Sequence, residues 1–319
     1  MNASELKPAQ RPTFYFVGVT TGKSSINTVF PAWARHLGLG ECPIQGIDCK
    51  WHDDPEVYRC VVSFIKEDPH SLGGLVTTHK IDLLAACRDL FDGLGPYAML
   101  LGEVSCISKR EDALWGHAKD PITSGLALEA FVPGDYWQRS KAEACFLGAG
   151  GSSLALTTYF MKEKGMNASP SRIYVTNRSK PRLEQMRRIH EQINPGIQVV
   201  YRYCPNPTDN DAVVNQLKPG SLVINATGLG KDAPGSPLTN AARFPENGLV
   251  WEFNYRGDLV FLDQARAQQH ARNLTIEDGW FYFIHGWAQV IAEVFHIHIP
   301  TEGPEFSELG EIAAQVRTS

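Results

Sequence analysis

The stretch CFLGAGGSSLALTTYF, residues 145–160, constrains this chain more than any other. An apolar, strand-like run meets three glycines, Gly148, Gly150 and Gly151, and then a helical period of apolar residues begins. A turn so poor in side chains lets backbone N–H groups approach a pyrophosphate at the positive end of the following helix. The third glycine of the usual G-x-G-x-x-G spacing is Ser153 here, with Ala155 two residues on, so the flanking strand and helix carry the reading. Such loops usually open their domain, yet this one sits near the middle of 319 residues.

The segments around the loop explain its position. From residue 144 onward strand-like runs (ACFLG, SRIYVTN, QVVYRYC, SLVINAT, GLVWEFN, LTIEDG) alternate with helical ones (SSLALTTYFMKEKG, KPRLEQMRRIHEQI, DNDAVVNQL, LVFLDQARAQQHAR). This is the pattern of a doubly wound parallel sheet of Rossmann type. The first part alternates too, from TFYFVGV to KIDLLAACRDLF. It then turns into AMLLGEVSCISKRED and ALWGHA, predicted as two strands joined by a charged turn at residues 109–112. The expected fold class is α/β with two domains. Residues 1–124, completed by 280–319, form an N-terminal substrate-binding domain, and residues 125–279 form the nucleotide-binding one. WFYFIHGWAQVIAEVFHI reads as a long apolar helix, and the remainder as a polar, mobile tail.

Composition narrows the partners. Thirty basic against thirty-five acidic residues leave a formal charge of -5, and no dense basic block suggests nucleic acid. The N-terminal stretch has no charged start followed by an apolar core, and no run approaches a membrane span, so a cytoplasmic protein is expected. The seven cysteines contain no C-x-x-C pair and read as reduced core residues. His296 and His298 lack the accompanying ligands of a metal site, and no metal is expected.

The end of the next strand selects the cofactor. NAD sites place a carboxylate there for the ribose 2′-hydroxyl, whereas this strand ends in Asn177, Arg178, Ser179 and Lys180. No acid repels a 2′-phosphate and two cations are at hand to bind one, which favours NADP. Oxidising an alcohol also needs a base for the hydroxyl proton. No tyrosine has a lysine four residues on, and the cysteine spacings of zinc alcohol dehydrogenases are missing, so the base is expected in the first domain. Lys80, after the apolar strand GGLVTTH, and Asp120, after ALWGHAK, are the candidates. The lysine would shuttle the proton and the carboxylate would orient it. Each also has an ordinary structural reading, Lys80 as a surface lysine and Asp120 as a helix N-cap before Pro121.

Taken together these segments resemble the shikimate dehydrogenase family, from about Phe14 to Phe295. GKSSINTVF is similar to that family's serine-rich substrate loop, VTTHK to its catalytic-lysine motif, GEVSCI to its G-A-V-N-T-I strand and GHAKD to its G-x-N-T-D. GAGGSSLA and NRSK resemble its NADP segments, NATGLG its N-A-T-P-x-G, EFNY its D-x-x-Y, and GWAQVIAEVF its C-terminal helix. The resemblance implies catalytic roles for Lys80 and Asp120, and substrate contacts from Ser24, Thr77, Thr78, Ser105, Tyr255 and Gln289. It implies NADP contacts from Gly148, Ala149, Gly150, Gly151, Ser152, Asn177, Arg178, Lys180, Asn225, Thr227 and Gly279. It further implies a C-terminal helix that returns to the first domain and an active site in the cleft.

The departures cluster on the substrate side. Ile26 stands where that family has its second serine, and Ser105 replaces an Asn. Ala118 and Lys119 replace the Asn and Thr before the aspartate, Glu252 an Asp, and Gly228 a Pro. The shortened lysine motif leaves open whether Thr77 or Thr78 faces the substrate. Lys119 and His117 either supply a new anion contact or point to solvent from an edge strand. Each lost hydrogen bond to a polyhydroxylated ring costs about 1 kcal/mol. Three functions therefore stand side by side: an NADP-dependent dehydrogenase for shikimate; one for quinate, an aminoshikimate or another cyclitol; and a non-catalytic regulator of the same fold that binds a metabolite or nucleotide.

Overall fold

The computed structural model describes residues 5–164, 168–193, 196–231 and 233–318. It divides into two compact units, residues 1–119 with 284–319 and residues 120–283, where the sequence places the divisions at 124/125 and 279/280.

The strands of the first unit are β1 (Thr13–Gly18), β2 (Ile44–Asp48), β3 (Ser71–Val76), β4 (Gly93–Leu94), β5 (Cys106–Arg110) and β6 (Ala113–His117). They form one sheet in the order β2-β1-β3-β5-β6-β4. β1, β2 and β3 run parallel, while β5 is antiparallel to both β3 and β6. TFYFVG of β1 is buried at every position, as a strand covered on both faces must be. The helices before the chain leaves this unit are α1 (Ile26–His36), α2 (Pro55–Glu67), α3 (Lys80–Cys87) and α4 (Pro96–Leu101). Local chemistry starts α2: Pro55 takes the first helical position and the Asp54 carboxylate accepts from the Glu56 N–H at 2.9 Å. Tyr58, Val61, Val62 and Ile65 then follow on one buried face.

The second unit begins with α5 (Asp120–Glu129) and α6 (Tyr136–Ser140). Its strands are β7 (Ala144–Leu147), β8 (Arg172–Asn177), β9 (Gln198–Tyr203), β10 (Leu222–Asn225), β11 (Leu249–Glu252) and β12 (Thr275–Glu277). Between them lie α7 (Gly151–Lys162), α8 (Lys180–Ile193), α9 (Pro207–Val214), α10 (Val260–Arg266) and α11 (Gln269–Arg272). All six strands are parallel in the order β12-β11-β10-β7-β8-β9. Read from the β9 edge this is 3-2-1-4-5-6, the Rossmann order, with the glycine loop on the first strand beside the reversal of strand order. Leu147, Val223, Val250, Phe244 and Phe261 fill one face of this sheet. Gly125 lets α5 approach α7, since a Cβ there would fall 2.3 Å from the Tyr159 ring.

The chain ends with α12 (Trp280–Val294) and α13 (Pro304–Thr318). Trp287 packs edge-on against Phe14 and Phe16 of β1. The expected polar, mobile tail is instead the helix α13. It buries Phe306, Leu309 and Ala313, and the Leu309 carbonyl accepts from the Trp33 indole at 2.9 Å. Burying such a side chain contributes about 2 kcal/mol, enough to order a segment whose composition is otherwise polar.

Three further expectations change. The first of the two predicted strands begins only at Cys106, because residues 96–101 form α4, and the turn sits at residues 111–112 with Glu111 at φ 55°. LVFLDQARAQQHAR breaks into α10 and α11 because the Gln268 amide is tied to the backbone of Ala242 and Phe244. Of the seven cysteines five are buried, but Cys42 is half-buried and Cys60 is exposed. No helix among the described residues is long and apolar enough to cross a membrane.

Candidate functional site

In the second unit the glycine loop leaves β7 at its C-terminal end. Gly148 holds φ at 107°, and its N–H donates to the Thr176 carbonyl at 3.0 Å. Its own carbonyl accepts from the Ser153 hydroxyl at 2.6 Å. Gly150 is the N-cap of α7, and a Cβ there would meet nothing closer than the Ala226 carbonyl at 3.9 Å. The N–H groups of Ala149, Gly150, Gly151 and Ser152 donate to no acceptor among the described residues. Four open donors at the positive end of a twelve-residue helix form a cradle for an anion.

Next to this loop β8 ends in Asn177, whose side chain accepts from the Ser179 N–H at 3.0 Å and shapes the start of α8. Arg178 and Lys180 are exposed there, and the Lys180 ammonium lies 4.7 Å from the centre of the Tyr203 ring. A third cation was missed in the sequence. Arg182, one turn into α8, donates from Nε to the Ala149 carbonyl at 3.0 Å and so joins the loop to that helix. Its signal was present in NRSKPR, where basic residues recur at every second position.

Beyond the loop a buried network links the C-terminal ends of β10 and β11. The Asn225 amide donates to Glu252 at 2.6 Å, and its oxygen accepts from the Thr227 N–H at 3.0 Å and hydroxyl at 2.6 Å. Asn254 donates to the other Glu252 oxygen from its N–H at 2.8 Å and its amide at 2.7 Å. Burial pushes the Glu252 carboxyl up to about 7, although these N–H donors favour the charged form. Asn225 and Thr227, both predicted cofactor contacts, thus have their side chains engaged in shaping the loop after β10. Gly279, predicted likewise, lies against the backbone of Phe253, whose carbonyl would be 2.1 Å from a Cβ. Tyr255, a predicted substrate contact, packs its ring at a tilt against Trp280 and Phe283, with ring centres 5.8 and 4.7 Å away. Asp120 is the first residue of α5 and is only 9% exposed.

In the first unit the candidate residues gather at the C-terminal ends of the parallel strands. Lys80 is the half-buried first residue of α3, immediately after the loop that follows β3. His79 before it is 1% exposed and is bonded to the Tyr58 hydroxyl at 3.0 Å. Thr77 donates its hydroxyl to the Val17 carbonyl at 3.0 Å, which binds it to β1, while Thr78 is exposed. Ser24 is half-buried at the end of a single 3-10 turn. Ile26 is fully buried as the first residue of α1, so it is a core residue and presents nothing to a ligand. A groove of about 810 Å³ lined by Lys7, Arg11, Thr13 and Gln45 lies at the opposite end of β1 and holds none of these residues.

Ser105, Lys119 and His117 depart most from expectation. Ser105 is 2% exposed. Its hydroxyl accepts from the Lys119 N–H at 2.8 Å and reaches the His117 carbonyl at 3.5 Å, so it braces the chain at this point. Lys119 and His117 are both engaged by a carboxylate of the chain itself. Glu293 of α12 accepts from Lys119 Nζ at 2.7 Å and from Arg110 at 2.7 Å, and lies 3.3 Å from His117 Nε2. Burial alone raises the Glu293 carboxyl, but its hydrogen bonds from Lys119 and Arg110 outweigh that and hold it at about 2. Burial keeps His117 neutral, at about 4. Nor is β6 an edge strand, since β4 flanks it. Gln289, one turn before Glu293, is half-buried, and its amide makes no hydrogen bond among the described residues. His296 Nε2 donates to the Lys109 carbonyl at 2.8 Å.

No family model matches the chain. A curated shikimate dehydrogenase (NADP+) of Streptococcus thermophilus is 30% identical over 180 residues, 56% of this chain and 58% of that relative. The match therefore spans little more than half the relative's length. Solved structures extend the likeness in fold. A shikimate 5-dehydrogenase of Thermus thermophilus, in complex with NADP(H) and shikimate, superposes with a TM-score of 0.68 at 22% identity, covering 95% of this chain and 99% of that one. A quinate dehydrogenase of Corynebacterium glutamicum in complex with NAD gives 0.70 at 17% identity, covering 96% and 99%.

Proposed function

We propose that this shikimate dehydrogenase-like chain is an NADP-dependent oxidoreductase that interconverts a ring secondary alcohol and its ketone, with shikimate and 3-dehydroshikimate as the first pair to consider. The observation that carries this reading is the cradle of four open N–H donors at α7, with Arg178, Lys180 and Arg182 next to it. It suits a pyrophosphate, and the cations suit a 2′-phosphate. Neither a structural turn nor a plain tight loop needs both. The sequence likeness to a shikimate dehydrogenase (NADP+) supports the same cofactor.

A bound nicotinamide would give or take the hydride. The chain supplies the rest. Lys80 would exchange the hydroxyl proton, and its place at the start of α3 helps, because the helix dipole opposes a cation at that end. Asp120 would hold the hydroxyl in line by hydrogen bonding. Thr78, Ser24 and Gln289 are the remaining polar candidates for the ring substituents.

A second reading keeps the chemistry and changes the ring to quinate, an aminoshikimate or another cyclitol. It is favoured by the loss of three contacts at once: Ser105 braces the backbone, Lys119 is paired with Glu293, and Ile26 is in the core. Initial rates of NADP reduction with shikimate, quinate and a set of cyclitols, for the wild type and Lys80→Ala, test both. Turnover of shikimate that disappears in the variant supports the first reading, and turnover of another polyol alone supports the second. Saturable NADPH binding without turnover of any of them would instead favour a regulator.

A further inference from the structure

We propose that Glu293 is a positioning residue for Asp120, acting through Lys119. The inference rests on the oxidoreductase reading above and adds a component that its proton-handling pair does not contain.

Lys119 is joined directly to Asp120, so whatever holds Lys119 determines where the chain leaves β6 for the aspartate. It is held at both ends. Its backbone N–H donates to the buried Ser105 hydroxyl at 2.8 Å, and its ammonium donates to Glu293 Oε2 at 2.7 Å. Glu293 is itself unable to swing aside, because Oε1 takes a hydrogen bond from Arg110 at 2.7 Å and sits 3.3 Å from His117. His117 is in turn bonded to Ser108 at 3.1 Å and stacked on Trp115. The side chains of Glu293 and His117 are each 14% exposed and that of Lys119 is 24% exposed. Solvent therefore screens this pair far less than an ordinary surface ion pair.

Glu293 also lies four residues after Gln289 on α12, so the two share a face of one helix. The helix that presents a candidate ring contact thus also anchors the chain leading to the candidate carboxylate. An ordinary stabilising salt bridge would not need two cations, Lys119 and Arg110, and a histidine, His117, around one carboxylate while a buried serine holds the Lys119 backbone.

The test uses the full-length chain with Glu293→Gln, Lys119→Met and the double variant. Amide hydrogen exchange over residues 117–120 should speed up by about tenfold or more in each single variant, with exchange in the glycine loop unchanged. With NADP and the best ring alcohol, kcat should fall about 10- to 100-fold while the KM for NADP stays at the wild-type value. The double variant should be no worse than either single one, since all three remove the same contact. Glu293→Asp with partial recovery of kcat would support the same role. Unchanged exchange at 117–120, or wild-type kcat in both single variants, would overturn the inference and leave the oxidoreductase reading intact. A wild type that turns over no ring alcohol would overturn that reading, and the catalytic side of this inference with it.

Discussion

Replacing Gly148 with alanine tests the cradle at its most constrained point. Gly148 sits at φ 107°, where a side chain brings strain of about 1–3 kcal/mol. The added Cβ would also lie 2.9 Å from the Ala226 carbonyl oxygen and 3.1 Å from its carbon and from Thr227 Cγ2. The first two are backbone atoms of the loop after β10, so no flexible side chain can relieve the contact. If the loop shifts instead, it stretches the bonds from the Gly148 N–H to Thr176 and from Ser153 to the Gly148 carbonyl, each contributing about 1 kcal/mol. The expected loss is about 3 kcal/mol of stability in the second unit, or about 1–3 M in the urea midpoint. NADPH affinity, read by fluorescence titration, should fall by at least about tenfold, because the same shift moves the open N–H donors. A variant with wild-type urea midpoint and wild-type NADPH affinity would refute both the strain argument and the assignment of the loop.

Other perturbations probe separate parts of the molecule. Arg182→Ala should weaken NADPH binding several-fold more than NADH binding, and equal losses would remove Arg182 from the 2′-phosphate. Burial holds His190 and His285 neutral at about 4 against an ordinary 6.5, so their contribution is complete above pH 6.5 and is lost as pH falls through 4. Each is worth about 3 kcal/mol. Thermal midpoints should therefore drop steeply below pH 6, and His190→Gln should flatten that limb. Glu252 works in the other direction. Raised from 4.5 to about 7, it stabilises fully below pH 4.5, and that contribution is lost as pH rises through 7. Glu252→Gln should remove this opposing slope, so that the variant's midpoint rises more steeply with pH than the wild type's between about pH 4.5 and 7. Gly125→Ala should lower the midpoint by several degrees through overpacking against the Tyr159 ring, which its hydrogen bond to Glu129 holds in place. An unchanged midpoint would mean that the ring yields.

Features governed by near neighbours along the chain were legible from residue patterns. Alternating strand and helix periods, with glycines at the first turn, predict the parallel second sheet, and its order is the one such a chain adopts. The anion cradle was legible for the same reason: Gly148, Gly150 and the start of α7 lie within a few residues of one another. The tertiary structure alone decided what distant residues do to one another. A substitution at Ser105 or Lys119 looks like an altered ligand contact until Glu293, 174 residues further on, is found bonded to Lys119. Ile26 looks like a lost serine until packing buries it, and α13 looks like a free tail until Leu309 meets Trp33. Propensity and spacing act along the chain, whereas burial and charge pairing act across it. Which polar groups stay open for a ligand is settled by the second kind of interaction.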